Sequence, residues 1–90
     1  MKSVHVVISG RVHGVWYRAW TEGEAASRGL NGWVRNRSDG TVEAVFSGTE
    51  TEVAAMLDAC KTGRRLASVK EVVFEPCDPP PQGFTKRPSE

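Results

Sequence analysis

An α+β fold, with two helices on one face of an antiparallel four-stranded sheet, is predicted for this chain of 90 residues by three observations. A run near the amino terminus alternates apolar and other residues with a period of two. Two segments carry helical signals, one rich in Ala and Glu and closing on a glycine, the other with an apolar stripe at helical spacing. Two extended runs flank a Ser-Asp-Gly turn. A chain of this length can bury one small core and not two, so residues 1–90 are expected to form a single domain.

The first strand is read from Val4 to Ile8, where Val4, Val6 and Ile8 alternate with His5, Val7 and Ser9; Val7 makes the second face nearly as apolar as the first, as in a central strand. Glycines at 10 and 14 bracket a turn, and "YRAWTEGEAASRGL" follows as the first helix, with Gly29 as its stop signal. "NGWVRNRSDGTVEAVFSG" reads as the second and third strands. A three-residue turn with Gly40 left-handed puts Val34 and Asn36 on the sheet face of Val42, Ala44 and Phe46, whereas a two-residue Asp39-Gly40 turn breaks that grouping. The three-residue register is preferred, and it leaves Asn36 as a polar side chain on an apolar face. Thr49 and Glu52 form a capping box for the second helix, Val53, Met56, Leu57 and Cys60 its apolar stripe, and Gly63 its end. "SVKEVVFEP" is the fourth strand. The prolines of "PCDPPPQGF" cannot continue a central ladder, since they lack the N–H donor, and Phe84 to Lys86 are left as a short fifth edge strand.

The order strand, helix, strand, strand, helix, strand is that of the split βαβ, or ferredoxin-like, arrangement. In it the first two strands run parallel with the third inserted between them. Their carboxyl ends therefore share one edge of the sheet, which brings the loop from Arg11 to Trp16 beside Asn36.

Charge and composition narrow the function. Twelve Lys and Arg against eleven Asp and Glu leave a net charge of +1, too little for a global pull toward nucleic acid or anionic lipid, so any anion site must be local. "MKSVHVVISGR" has neither the apolar core of a signal peptide nor the length of a membrane span, and a cytoplasmic protein is expected. Cys60 and Cys77 lack CxxC spacing and neighbouring histidines, and read as reduced structural thiols with no metal or redox cofactor.

In "SGRVHGVWYR" an arginine stands at a predicted helix start. The positive amino end of a helix disfavours a cation by roughly 0.3–1 kcal/mol unless an anion lies between them. A strand, a glycine turn and a helix start are the parts of an anion cradle, and the planar fork of Arg18 suits two phosphate oxygens. On pattern alone a second reading stands equally: Gly14 serves only the turn, and Arg18 pairs with Glu22 on the next helical turn.

The motif "GRVHGVWYR" closely resembles the first acylphosphatase signature, and "GWVRNRSDGTVEAVFSG" resembles the second, with Gly40, Val42 and Gly48 at its fixed positions. His13 departs from the glutamine usual in the family, and Tyr17 from the more usual phenylalanine. The resemblance covers roughly residues 3 to 87 and implies hydrolysis of a small acyl phosphate to a carboxylate and inorganic phosphate, the latter also an inhibitor, without a cofactor. The net charge of +1 leaves no nucleic-acid or membrane partner expected, and a compact chain with few exposed apolar runs is expected to be a monomer. The resemblance further implies that main-chain amides of His13, Gly14, Val15, Trp16, Tyr17 and Arg18, with the Arg18 guanidinium, hold the phosphoryl group, and that the Asn36 carboxamide orients water. Position 13 is expected to contribute backbone, and nothing functional carries over to the proline-rich carboxyl-terminal tail.

The remaining rings and cations have plainer readings. Trp16 is expected on the acyl side of the pocket, Trp20 and Trp33 in packing, and His5 as a surface or packing residue. A base-stacking role for the tryptophans lacks the aromatic and basic strand signature of RNA-binding sheets. Arg35, Arg37, Arg64 and Arg65 read as solvated, with Arg37 a candidate for drawing in an anionic substrate. A non-catalytic ferredoxin-like module that binds a small anion is the alternative to an enzyme.

Overall fold

The computed structural model describes residues 1–63 and 67–89; Arg64 and Arg65 lie outside them. In chain order the elements are β1 (Lys2–Arg11), α1 (Tyr17–Ser27), β2 (Asn31–Asn36), β3 (Val42–Gly48), α2 (Glu50–Thr62), β4 (Ser68–Pro76) and β5 (Phe84–Lys86). The sheet runs β4-β1-β3-β2-β5, the ferredoxin-like order with one strand added. β1 is longer than the apolar run from Val4 to Ile8 because ladders hold both its edges: Lys2 to Ile8 pair with β3, and Val4 to Arg11 with β4.

The four expected strands form the antiparallel sheet. β5, expected only as a short edge strand, pairs with β2 in parallel, which makes the five-stranded sheet mixed. β1 and β2 are each antiparallel to β3, and β5 therefore runs in the same direction as both. Three strands thus deliver their carboxyl ends to one edge.

The turn between β2 and β3 has the three-residue register. Arg37 N donates to Thr41 O at 2.9 Å, and Gly40, at φ 91°, donates to Arg37 O at 3.2 Å; a positive φ at this turn position is what glycine supplies. The Asp39 carboxylate accepts from the Thr41 hydroxyl at 2.6 Å and from its N–H at 3.0 Å, bonds that hold it below the ordinary carboxylate range. Asn36 pairs with Val42, and Val42 with Ile8, so the last residue of β2 lies in the row where β1 approaches the loop that leads to α1.

The core is a single cluster. Val4, Val6 and Ile8 of β1, Val34 of β2, and Val42, Ala44 and Phe46 of β3 meet Tyr17 and Ala25 of α1 and Val53, Met56, Leu57 and Cys60 of α2. Each buried Val, Ile, Leu, Met or Phe side chain of this cluster stabilises the fold by about 1.5–3 kcal/mol. α1 closes in a Schellman motif, with Leu30 N donating to Ala25 O and Gly29 N to Ala26 O, each at 3.0 Å. The capping box of α2 forms in one direction: Thr49 Oγ1 accepts from Glu52 N at 3.2 Å, while the Glu52 carboxylate faces Arg28 at 3.5 Å.

Candidate active site

The chain leaves β1 through a loop with two left-handed residues, Gly14 at φ 70° and Trp16 at φ 64°. Trp16 is the one non-glycine residue with positive φ among the described residues, a conformation that costs a bulky side chain roughly 1–2 kcal/mol. Such strain gathers where a site over-determines the backbone. Left-handed Trp16 followed by helical Tyr17 is the alternation that turns successive N–H groups toward one point. Trp16 is also the N-cap of α1, yet it supplies no side-chain cap bond, and the first turn holds no acidic residue. The first amides of α1 thus receive no acceptor from the cap side chain or from a first-turn carboxylate.

A cavity of about 310 Å³ opens over this loop, lined by Val12, Gly14, Trp16, Tyr17, Arg18, Ala19, Asn36 and Lys86. Arg18 and Asn36 therefore share one wall, as the parallel placement of β1 and β2 requires. Asn36 Oδ1 is buried and has no hydrogen-bond partner among the described residues. A buried acceptor left unpaired costs about 1–3 kcal/mol, so its retention asks for a reason. Arg18 does not turn to Glu22. Its Nη1 donates to the carbonyl of Arg87 at 2.9 Å and to Ser89 Oγ at 3.4 Å, neutral oxygens that direct the fork without cancelling its charge.

Trp16 is 69% exposed beside the cavity, open to an apolar group. Tyr17 is fully buried below it, and its hydroxyl donates to Cys60 O at 2.9 Å. Burial raises the Tyr17 phenol well above its ordinary value and pushes the Cys60 thiol up to about 12. Neither group is poised as a nucleophile. Val15 faces the core, and the His13 ring turns to Thr41, its Nε2 at 2.8 Å from the carbonyl oxygen; neither residue lines the cavity. Trp20 packs on the Tyr17 ring at 5.3 Å.

On the sheet face away from the helices the expectations for the charged residues change. Arg35 is no solvated cation: its Nε donates to Glu43 at 2.6 Å, and its guanidinium lies 5.4 Å from the Trp33 ring. His5 meets the same carboxylate at 2.6 Å. Arg37 Nε is buried, without a partner among the described residues. No group of three or more His, Cys, Asp or Glu side chains among the described residues could hold a metal ion.

The carboxyl-terminal segment, to which the sequence assigned no role, reaches the site. Arg87 N donates to Val34 O at 2.8 Å, and the Arg87 guanidinium stacks 4.3 Å from the Trp33 ring. That anchorage puts Lys86 in the cavity wall and the Arg87 carbonyl on Arg18. The signal was the direction of β5, which proline content and a three-residue length conceal.

A family model for acylphosphatase matches residues 4–86. An acylphosphatase of Rhodospirillum rubrum is 53% identical over 90 residues, covering 99% of each chain. One of Azorhizobium caulinodans is 54% identical over 81 residues, 90% of this chain and 87% of that one. The crystal structure of the acylphosphatase from Bacillus subtilis superposes with a TM-score of 0.91 at 30% identity, covering 97% of this chain and 99% of the other.

Proposed function

The chain belongs to the acylphosphatase family and is an enzyme of that activity, and from that premise we propose how its own residues hydrolyse the carboxyl–phosphate anhydride of a small acyl phosphate. The alternative of a non-catalytic anion-binding module gives way to this reading.

The chemistry asks little of the protein beyond placement. The departing carboxylate has a pKa of about 4 and needs no general acid near neutral pH. Phosphoryl transfer passes through a loose transition state with little bonding to the attacking oxygen, so an unionised water suffices. What remains is to hold the phosphoryl group and to stabilise its charge. The main-chain amides from His13 to Arg18 and the Arg18 guanidinium bind its oxygens, and Asn36 Oδ1 accepts a hydrogen bond from the attacking water. The new O–P bond forms as the bond to the acyl oxygen breaks. The water's proton passes to an oxygen of the transferred phosphate. Trp16 lies against the acyl group.

The observation that carries this reading is the buried, unpartnered Oδ1 of Asn36 in the cavity that Arg18 lines. Benzoyl phosphate hydrolysis by the purified chain tests it. Arg18→Ala should remove turnover together with phosphate inhibition, and Asn36→Ala should lower kcat by about 100-fold while phosphate still inhibits. Loss of both properties in the Asn36 variant would refute its role. We read the chain as one domain acting as a cytoplasmic monomer: its apolar helix faces are spent in its own core, and Cys60 and Cys77 are free thiols, as a reducing compartment keeps them. Sedimentation of the purified chain tests the monomer.

A further inference from the structure

We propose that His13 is a positioning residue, whose side chain ties the anion loop to the hairpin that presents Asn36 and so sets the water-orienting carboxamide against the phosphoryl site. The inference rests on the reading of Asn36 and Arg18 given above.

Three contacts carry it. His13 Nε2 lies 2.8 Å from the carbonyl oxygen of Thr41. A carbonyl only accepts, so the ring nitrogen is the donor, a part that both the Nε2-protonated neutral ring and the imidazolium fill. The same carbonyl takes Arg37 N at 2.9 Å, the bond that closes the hairpin. Directly inside that closure, Asn36 faces Val42 in the ladder. A single carbonyl thus joins the loop, the turn and the end of β2.

The join matters because of what the ladders do not do. β3 stands between β1 and β2, so the strand that ends in the anion loop and the strand that ends in Asn36 share no backbone hydrogen bonds. Asn36 Oδ1 has no partner of its own among the described residues; its position is inherited from the hairpin backbone. The tail supplies one cross-link, through Arg18 to Arg87 and Arg87 to Val34, on the β5 side. His13 supplies another, on the β3 side. Displacements of about 1 Å in a reacting geometry cost up to about 100-fold in rate, so loosening one of the two links should be visible in turnover. The His13 ring is absent from the cavity wall, hence it acts through Asn36 and not on the substrate. Glutamine, the residue usual at this place in the motif, carries an amide N–H the same number of bonds from Cα, and can donate to the same carbonyl.

A double-mutant cycle on benzoyl phosphate hydrolysis, with inorganic phosphate as competitive inhibitor, tests the proposal. His13→Ala should lower kcat by about tenfold and leave the inhibition constant of phosphate within about twofold, which also reports a folded anion loop. His13→Gln should restore kcat to within about twofold of the parent. In an Asn36→Ala background, His13→Ala should change the residual kcat by less than about twofold, since the group it positions is gone. A kcat in His13→Ala within twofold of the parent, an equal loss in both backgrounds, or a loss of phosphate affinity in step with kcat would overturn it. If Asn36→Ala itself leaves kcat unchanged, the failure lies in the water-orienting reading; if Asn36→Ala is crippled and His13→Ala is not, only the positioning role falls.

Discussion

Replacing Asn36 by alanine should make the enzyme slower and the fold more stable, and the opposite signs separate catalysis from architecture. A polar side chain on an apolar sheet face ordinarily earns its place through a structural hydrogen bond, and removing it destabilises. Here Oδ1 is buried without a partner among the described residues. Deleting it relieves a desolvated acceptor worth about 1–3 kcal/mol. Against this stands the packing of a side chain at a cavity wall that water can refill, so a net gain of about 1 kcal/mol is expected, or a rise in Tm of about 4–8 °C for a domain of this size. Turnover moves the other way: loss of the contact that aims the water should lower kcat by about 100-fold, equivalent to about 2.7 kcal/mol of transition-state stabilisation. Thermal melts in phosphate-free buffer and steady-state hydrolysis of benzoyl phosphate measure the two quantities on the same preparation. A Tm that falls by several degrees, with kcat and phosphate affinity declining together, would mean that Asn36 holds the hairpin and does not serve the reaction.

Arg18→Lys should leave phosphate inhibition nearly as weak as Arg18→Ala does, because a point charge cannot replace a two-pronged donor; recovery to within threefold of the parent inhibition constant would contradict a bidentate grip. Lys86→Ala should weaken phosphate inhibition by about fivefold at low ionic strength, the effect of removing about 1 kcal/mol of screened attraction, and the difference should shrink in added salt. Tyr17→Phe should lower Tm by about 4–8 °C, since the buried bond to Cys60 O is worth about 1 kcal/mol; an unchanged melting curve would show that bond to be idle. Burial pushes the Glu43 carboxyl up, but the hydrogen bonds from His5 and Arg35 and the charge of Arg35 outweigh it and hold the group below its ordinary value of 4.5. A depressed folded pKa stabilises above the unfolded value and is lost as pH falls through the folded one. Stability should thus decline below pH 4.5, and Glu43→Gln should flatten that decline in acid melts.

Local chemistry made most of the fold legible. Gly40 admits the left-handed turn that sets the hairpin register, Thr49 caps α2, and the alternation of Val4, Val6 and Ile8 identifies a strand whichever partners it finds. From the strand order alone it followed that the loop after β1 and Asn36 meet, since parallel strands with an inserted third must end at one edge. What stayed hidden depended on neighbours that no local pattern specifies. Three prolines in a row correctly excluded a ladder from the segment before Gly83, but they say nothing of where the chain goes next. The direction of β5 is fixed by long-range contacts, Asn31 Oδ1 accepting from Gly83 N at 2.8 Å, Phe84 stacking 5.8 Å from Phe46 and Arg87 N donating to Val34 O at 2.8 Å, each across more than 30 residues. Once parallel, β5 must end at the edge where β1 and β2 end, and Lys86 and the Arg87 carbonyl reach the cavity for the same topological reason as Asn36. The arginines of β2 show the complementary case. Arg35 and Arg37 look alike in a basic, hydrophilic run, yet Arg35 lies within β2 beside Glu43 and Trp33 while Arg37, just past the end of β2, has its Nε buried at the turn. Period alone assigns the faces; it cannot say that the outer face carries a carboxylate already shared between His5 and Arg35.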